Sequence, residues 1–188
     1  MDDAAMDDAA GADDVDDAAG ADDANDAEDA NEHAEVRFAS RTEFEAHFME
    51  CITRSRAILQ LFDPDFAVFP LGNSEVDAAL RRFLGAGGTI ELAAHRSNHI
   101  ERHYPRFMRL LKDYSHRISC RVTPRNLHQL TDSFCIGDGI HIVRRFHCDH
   151  MRGEAAWMAP LATEISTERF ASIWIESISG LHATTTGL

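Results

Sequence analysis

A chain of 188 residues has room for one domain of ordinary size and a tail, and its charge is unevenly divided between the two. Residues 1–36 hold 15 acids and no Lys or Arg, which leaves 17 acids against 18 bases elsewhere, a nearly neutral domain that argues against a broad nucleic-acid footprint. No apolar run approaches the ~18 residues of a membrane span and no basic-then-apolar leader opens the chain, so the sequence points to the cytoplasm.

Residues 1–36 read as a disordered acidic tail. The octamer DDAAGADD occurs at Asp7–Asp14 and again at Asp16–Asp23. Asp and Ala without large apolar groups cannot bury enough surface to offset ordering entropy. Such a tail could mimic nucleic acid, hold a basic partner or bind calcium weakly, but a solubilising tail grown by repeat slippage accounts for it as well. The acids lack the central Gly and closing Glu of an EF-hand loop.

Residues 37–188 read as one α/β domain. Ser40 and Glu43 form a capping box, and Phe44, Phe48, Cys51 and Ile52 follow at helical spacing. Ala57–Phe62 reads as a buried strand stopped by Asp63-Pro64-Asp65, and Phe66–Leu71 as a short extended piece. A second helix starts near Asn73 or Ser74, buries Val76, Ala79, Leu80, Phe83 and Leu84, and ends at the glycines after Leu84. Thr89–Ala94 is the next strand. Asn98 and Glu101 look like another capping box, with Pro105 either kinking the helix or marking its true first turn. His116–Val122 gives a third strand. A hairpin follows, Asp132–Cys135 and Ile140–Phe146, turned at Gly137-Asp138-Gly139. Met151–Leu161 reads as a loop, and Thr163–Ser179 as the last helix. Strands alternating with helices predict βαβ crossovers, hence a mixed, mostly parallel sheet with helices on both faces and the hairpin at one side.

Of the 18 bases only Lys112 is lysine. Arginine suits bidentate phosphate contacts, though genome composition alone can give the same bias. Cys51, Cys120, Cys135 and Cys148 show no CxxC pair or disulfide framework, and the first three have apolar neighbours. They read as free thiols in a reducing compartment.

The element order, the segments Tyr104–Phe107 and Phe134–Gly139, and the terminal Phe170–Trp174 together resemble one half of the phospholipase D superfamily fold, over roughly residues 40–180. The likeness is to uncharacterised bacterial domains that keep this half-fold and can be appended to enzymes such as acetyltransferases. The resemblance implies a phosphohistidine chemistry run by the motif HxKxxxxD. Aligning its Asp on Asp138 puts Thr131 at the His and Ser133 at the Lys, and no HxK occurs anywhere in the chain. Cleavage by that route needs a nucleophilic imidazole, a general acid and a fixed cation. Thr131 and Ser133 supply none of them, so the expectation is a non-catalytic binding or regulatory module with no cofactor. Asp138, flanked by glycines, reads as a turn residue. Half-folds of this superfamily often pair two copies, so the resemblance allows a homodimer.

Ligands of open α/β sheets sit beyond the carboxyl ends of parallel strands. Those ends carry Asp63 and Asp65, then His95 and Arg96, then Arg125. His128, Thr131 and Ser133 start from the same rim. These eight residues are the candidate pocket for an anionic or phosphate-containing ligand. They also read as solvated loop residues and strand terminators. An enzyme with another mechanism would use His95, Arg96 and Arg125. Arg144-Arg145 with Arg152 reads as a solvated face. His99 and His103 sit one helical turn apart with nothing to pair them. His147-Cys148-Asp149-His150 offers four potential metal ligands, but consecutive residues rarely converge on one ion, so no metal site is expected and a metal-dependent protein using this cluster is kept as an alternative.

Overall fold

The computed structural model describes residues 35–181. The expected disorder of the acidic tail therefore lies outside the described residues, apart from Glu35 and Val36. Those two belong to a strand, β1 (Glu35–Phe38), so the ordered domain starts slightly earlier than the tail composition predicts.

Helix α1 (Arg41–Arg54) starts at the capping box expected of Ser40 and Glu43 and buries Phe44, Phe48, Cys51 and Ile52. Strand β2 (Ile58–Asp63) leads to α2 (Ser74–Gly85), whose N-cap is Asn73 and whose buried stripe is the expected one. Phe66–Leu71 is not extended strand. It is a tight irregular turn with Phe66 at φ 62°, pinned because Tyr104 Oη donates to the carbonyls of Phe66 and Phe69. After β3 (Thr89–Ala94) the expected single helix is two, α3 (Asn98–His103) and α4 (Pro105–Asp113). Pro105 occupies the first helical position of α4, where its missing N–H costs nothing. The N-cap of α3 is Ser97 and not Asn98; its hydroxyl donates to Glu101 across the first turn.

Strand β4 (Ile118–Val122) and a short 3-10 turn (Arg125–Leu127) precede the hairpin of β5 (Ser133–Gly137) and β6 (His141–Arg145). The segment read as a loop contains β7 (Gly153–Ala156). Helix α5 (Pro160–Glu176) then leads to β8 (Ile178–Ser179), where continued helix was expected.

The eight strands form one sheet in the order β1-β7-β6-β5-β2-β3-β4-β8. Only β2–β3 and β3–β4 pair in parallel. The sheet is mixed as expected, but its parallel character is confined to these three strands, since β1, β7 and β8 all add antiparallel pairs. Side chains alternate across it. Leu59, Leu61, Cys135, Val143 and Ala155 join the core under α1 to α4. Phe62, Ala93, Phe134, Ile136 and Ile142 join a second core under α5. Both faces are covered toward the carboxyl ends, where β2 and β3 are buried on successive residues, while their first halves alternate and pair Gln60 with Glu91.

Asp138 fixes the hairpin to the rest of the sheet. It sits at φ 54° in the β5–β6 turn, and its carboxylate accepts the backbone N–H groups of Arg56 (2.6 Å), Ala57 (2.8 Å) and Ile58 (2.8 Å). Its own N–H returns a bond to Ile58 O. Partial burial alone would raise the carboxyl pKa, but the three amide donors outweigh it and hold the group below its ordinary value. Asp138→Ala should therefore destabilise the domain by about 1–2 kcal/mol, as loss of a strong cap does. A shift of the denaturant midpoint measures it, and an unchanged midpoint would show these bonds to be dispensable.

Candidate functional site

At the carboxyl ends of β2, β3 and β4 the buried candidate residues fall on opposite faces of the sheet, and the other five lie in the loops beyond. Asp63, Ser133 and a residue not expected here, Arg145, share the face under α1. His95 lies on the face under α5. The division follows from strand alternation, because Asp63 is in phase with Leu59 and Leu61 whereas His95 is in phase with Ala93.

On the first face Arg145 Nη2 meets Asp63 Oδ2 at 2.8 Å, with both side chains almost wholly buried (1% and 2% exposed). Arg145 Nε donates to Ser133 Oγ at 3.1 Å, and Nη1 donates to the Cys148 carbonyl at 2.6 Å and, more weakly, to that of His150 at 3.5 Å. The guanidinium carbon lies 5.5 Å from the Phe44 ring centroid. Asp63 is equally occupied, since its Oδ1 accepts the N–H groups of Asp65 (3.0 Å) and Phe66 (2.7 Å). Asp65 is a turn residue whose Oδ1 accepts Ala67 N–H at 2.9 Å. The polar rim on this face is thus filled by its own ion pair, and Arg145 is not part of a solvated face. Arg144, its neighbour, points the other way and pairs with Glu154, its Nε donating at 2.7 Å. The alternation His141, Val143, Arg145 placed Arg145 inward. A basic side chain at a strand end gave no hint of which carboxylate would receive it.

On the second face His95 is 6% exposed and packs edge-on to Phe62. Its Nε2 lies 2.9 Å from the Leu130 carbonyl, which can only accept, so Nε2 carries the proton. Nδ1 then accepts from the Thr123 hydroxyl at 2.6 Å. Burial lowers the pKa of the ring and keeps it neutral. Both nitrogens are thus hydrogen-bonded within the protein and the ring is buried, so neither faces solvent as a free nucleophile.

The exposed part of the rim is cationic. His128 lies against His95 with ring centroids 4.8 Å apart and is itself exposed. Arg96 and Arg125 are exposed, and neither makes an ion pair or side-chain hydrogen bond among the described residues. Thr131 is half-buried, and its carbonyl accepts Cys148 N–H at 2.9 Å. Thr131 and Ser133 also line a cleft of about 240 Å³ between the hairpin and α5, with Arg144 and Arg169 in its wall. This volume lies below the usual range for drug-sized ligands and suits a single small group.

Comparisons with known proteins place the fold. Residues 40–182 match the family model described as a domain of unknown function (DUF7931). No curated protein matches the chain. Among solved structures, the chain is similar to TrmBL2, described as an archaeal chromatin protein with a novel mode of DNA binding, at TM-score 0.59 and 9% identity. That match covers 78% of this chain but 54% of TrmBL2, so the chain spans about half its length. It is similar to Nuc from Salmonella typhimurium, described as a phospholipase D family member, at TM-score 0.57 and 12% identity, over 78% of this chain and 97% of Nuc. NucT from Helicobacter pylori gives TM-score 0.55 and 10% identity over 79% of this chain and 100% of NucT. The domain therefore has a phospholipase D-like α/β fold. No described helix is long and apolar enough to cross a membrane.

Two outcomes follow from the geometry. Arg145→Leu should cost about 3–5 kcal/mol, because it strands Asp63 as a buried, unpaired charge. Adding Asp63→Asn should return part of that loss, since the Asn oxygen still accepts from Asp65 and Phe66. Denaturant unfolding of the single and double variants checks this, and strict additivity would show that the two side chains do not couple. His95, neutral when folded, binds a proton more readily when unfolded. Its contribution is fully present above the unfolded value of 6.5 and is lost as pH falls from there toward the depressed folded value. Stability measured at about pH 8 and about pH 5.5 should differ, and His95→Gln should flatten the difference.

Proposed function

The chain belongs to the DUF7931 family, and we propose that its phospholipase D-like fold serves as a non-catalytic module that binds an anionic, phosphate-containing ligand at the strand-end rim. The observation that carries this reading is the saturation of the polar interior. Both nitrogens of His95 and all three of Arg145 are hydrogen-bonded within the protein. Thr131 and Ser133, aligned with the motif's His and Lys, offer hydroxyls in place of an imidazole and an ammonium, and Ser133 Oγ is already bound by Arg145. A displacement at phosphorus needs a free nucleophile and a cation on the phosphoryl oxygens. The interior supplies neither in free form, since His95 is buried with both nitrogens engaged and Arg145 is committed to Asp63, which counts against an enzyme built on His95.

Binding needs less than catalysis. Arg96, Arg125 and His128 are exposed at the strand ends with hydrogen-bonding capacity that faces water, and Arg can grip phosphate through paired N–H groups. A ligand seated on them would displace solvent without breaking an internal contact.

The test is titration of the full chain with short oligonucleotides and inorganic phosphate at two salt concentrations. Binding should weaken as salt rises. It should also weaken in Arg125→Ala and Arg96→Ala without loss of fold. Hydrolysis of a phosphodiester that disappears in His95→Gln would overturn the non-catalytic reading. Salt-sensitive binding that both arginine variants leave intact would move the ligand off this rim.

A further inference from the structure

The connection between β6 and β7 carries a group of side chains that the rim does not use. His147, Cys148 and Asp149 present ligand atoms within 4.8 Å of one another. His147 Nδ1 lies 4.0 Å from Cys148 Sγ, Cys148 Sγ lies 3.7 Å from Asp149 Oδ1, and His147 Nδ1 lies 3.6 Å from Asp149 Oδ2. A tetrahedral ion with ligand bonds of about 2.0–2.3 Å has donor–donor edges of about 3.3–3.8 Å. These distances engage both carboxylate oxygens of Asp149. With one ligand atom from each residue the three lie within 4.8 Å of one another, so closing on an ion needs an inward side-chain shift of about 1 Å. We propose that His147, Cys148 and Asp149 form a binding site for a zinc-class divalent cation, with the fourth coordination position open to water or a small exogenous ligand.

Three consecutive residues seldom face one point. Here the backbone makes them do so. The loop is closed at its base where Phe146 N–H donates to Arg152 O (3.0 Å), and it is turned where His150 N–H donates to His147 O (3.1 Å). Its middle is tied down twice: Cys148 N–H donates to Thr131 O, and Arg145 Nη1 donates to the Cys148 and His150 carbonyls. The buried Arg145 therefore holds the loop backbone from beneath, and the cation has only the ligand side chains to order. His147 Nδ1 accepts Asp149 N–H at 3.1 Å in the metal-free loop, and coordination exchanges that bond for the metal. Cys148 gives its proton to solvent on binding, as a thiolate ligand must. One imidazole, one thiolate and one carboxylate are ligands that zinc accepts, and three protein ligands with one open position is the arrangement of exchangeable rather than closed zinc sites. The site does not depend on the anion-binding reading.

Cobalt(II) added to the reduced full-length chain tests it. A thiolate ligand gives a near-ultraviolet charge-transfer band, and four-coordination gives intense visible bands. Cys51, Cys120 and Cys135 are buried, so a thiolate band reports Cys148. The expected result is one equivalent bound with both signatures, displaced by zinc. Cys148→Ser should abolish the charge-transfer band, and His147→Ala and Asp149→Ala should each weaken binding at least about tenfold. Carboxylates of residues 1–34 bind such ions through oxygen alone and give no such band. Cobalt bound with only the weak spectrum of an all-oxygen shell would overturn the proposal, and so would a charge-transfer band that survives in Cys148→Ser.

Discussion

The buried pair of Asp63 and Arg145 is the constraint on which the rim depends. It joins the end of β2, the start of β5 through Ser133, the end of β6, and the loop beyond it through two carbonyls. Neither charge can be left alone in an apolar setting, because the desolvation cost of one ion is several kcal/mol. The two must be buried together, and every remaining donor and acceptor on them must find a partner. That requirement ties the end of β2 to Arg145, more than 80 positions later, and through it to the hairpin and its following loop. It also fills the space where an open α/β sheet would otherwise offer a polar crevice.

The alternation of side chains across the strands explains why the expected pocket divides. Strand ends that are adjacent in the sheet need not present their side chains to the same side. Asp63 is the last residue of β2 and falls on the α1 face, while His95, one residue beyond β3, falls on the α5 face beside Phe62. Between them stands the sheet itself. Sequence reasoning treated as one crevice strand-end residues that the pleat places on two faces.

Most of the central elements were legible because their signals are local. The capping box at Ser40, the N-cap at Asn73 and the apolar stripes of α1 and α2 each need only a few neighbouring residues to be read. β7 has no such signal. Its residues Gly153-Glu154-Ala155-Ala156 have low strand propensity, and it forms because β6 and β1 pair with it on either side. Gly153 is needed there for space, since a side chain at that position would collide with the Phe38 ring and the Arg144 carbonyl. β1 and β8 are edge strands of four and two residues, made by register with distant partners. Arg145 was hidden for a similar reason. Periodicity can say that a side chain points inward, but not that a carboxylate more than 80 positions earlier is waiting for it.

A residue type that chemistry could use is informative only when its bonding capacity is known. Asp138 aligns in the sequence with the Asp of a phosphodiesterase motif, yet its oxygens accept three backbone amides at the start of β2 and just before it. His95 has the residue type of a nucleophile, yet its two nitrogens meet Thr123 and Leu130. Both groups hold architecture, and recruiting either for catalysis would first require breaking bonds made in a poorly solvated setting. Arg96 and Arg125 differ in kind. Their charges face water, so engaging an anion costs only desolvation and the ordering of two side chains. The buried polar groups are committed to holding the fold, whereas the charges of Arg96 and Arg125 remain in water.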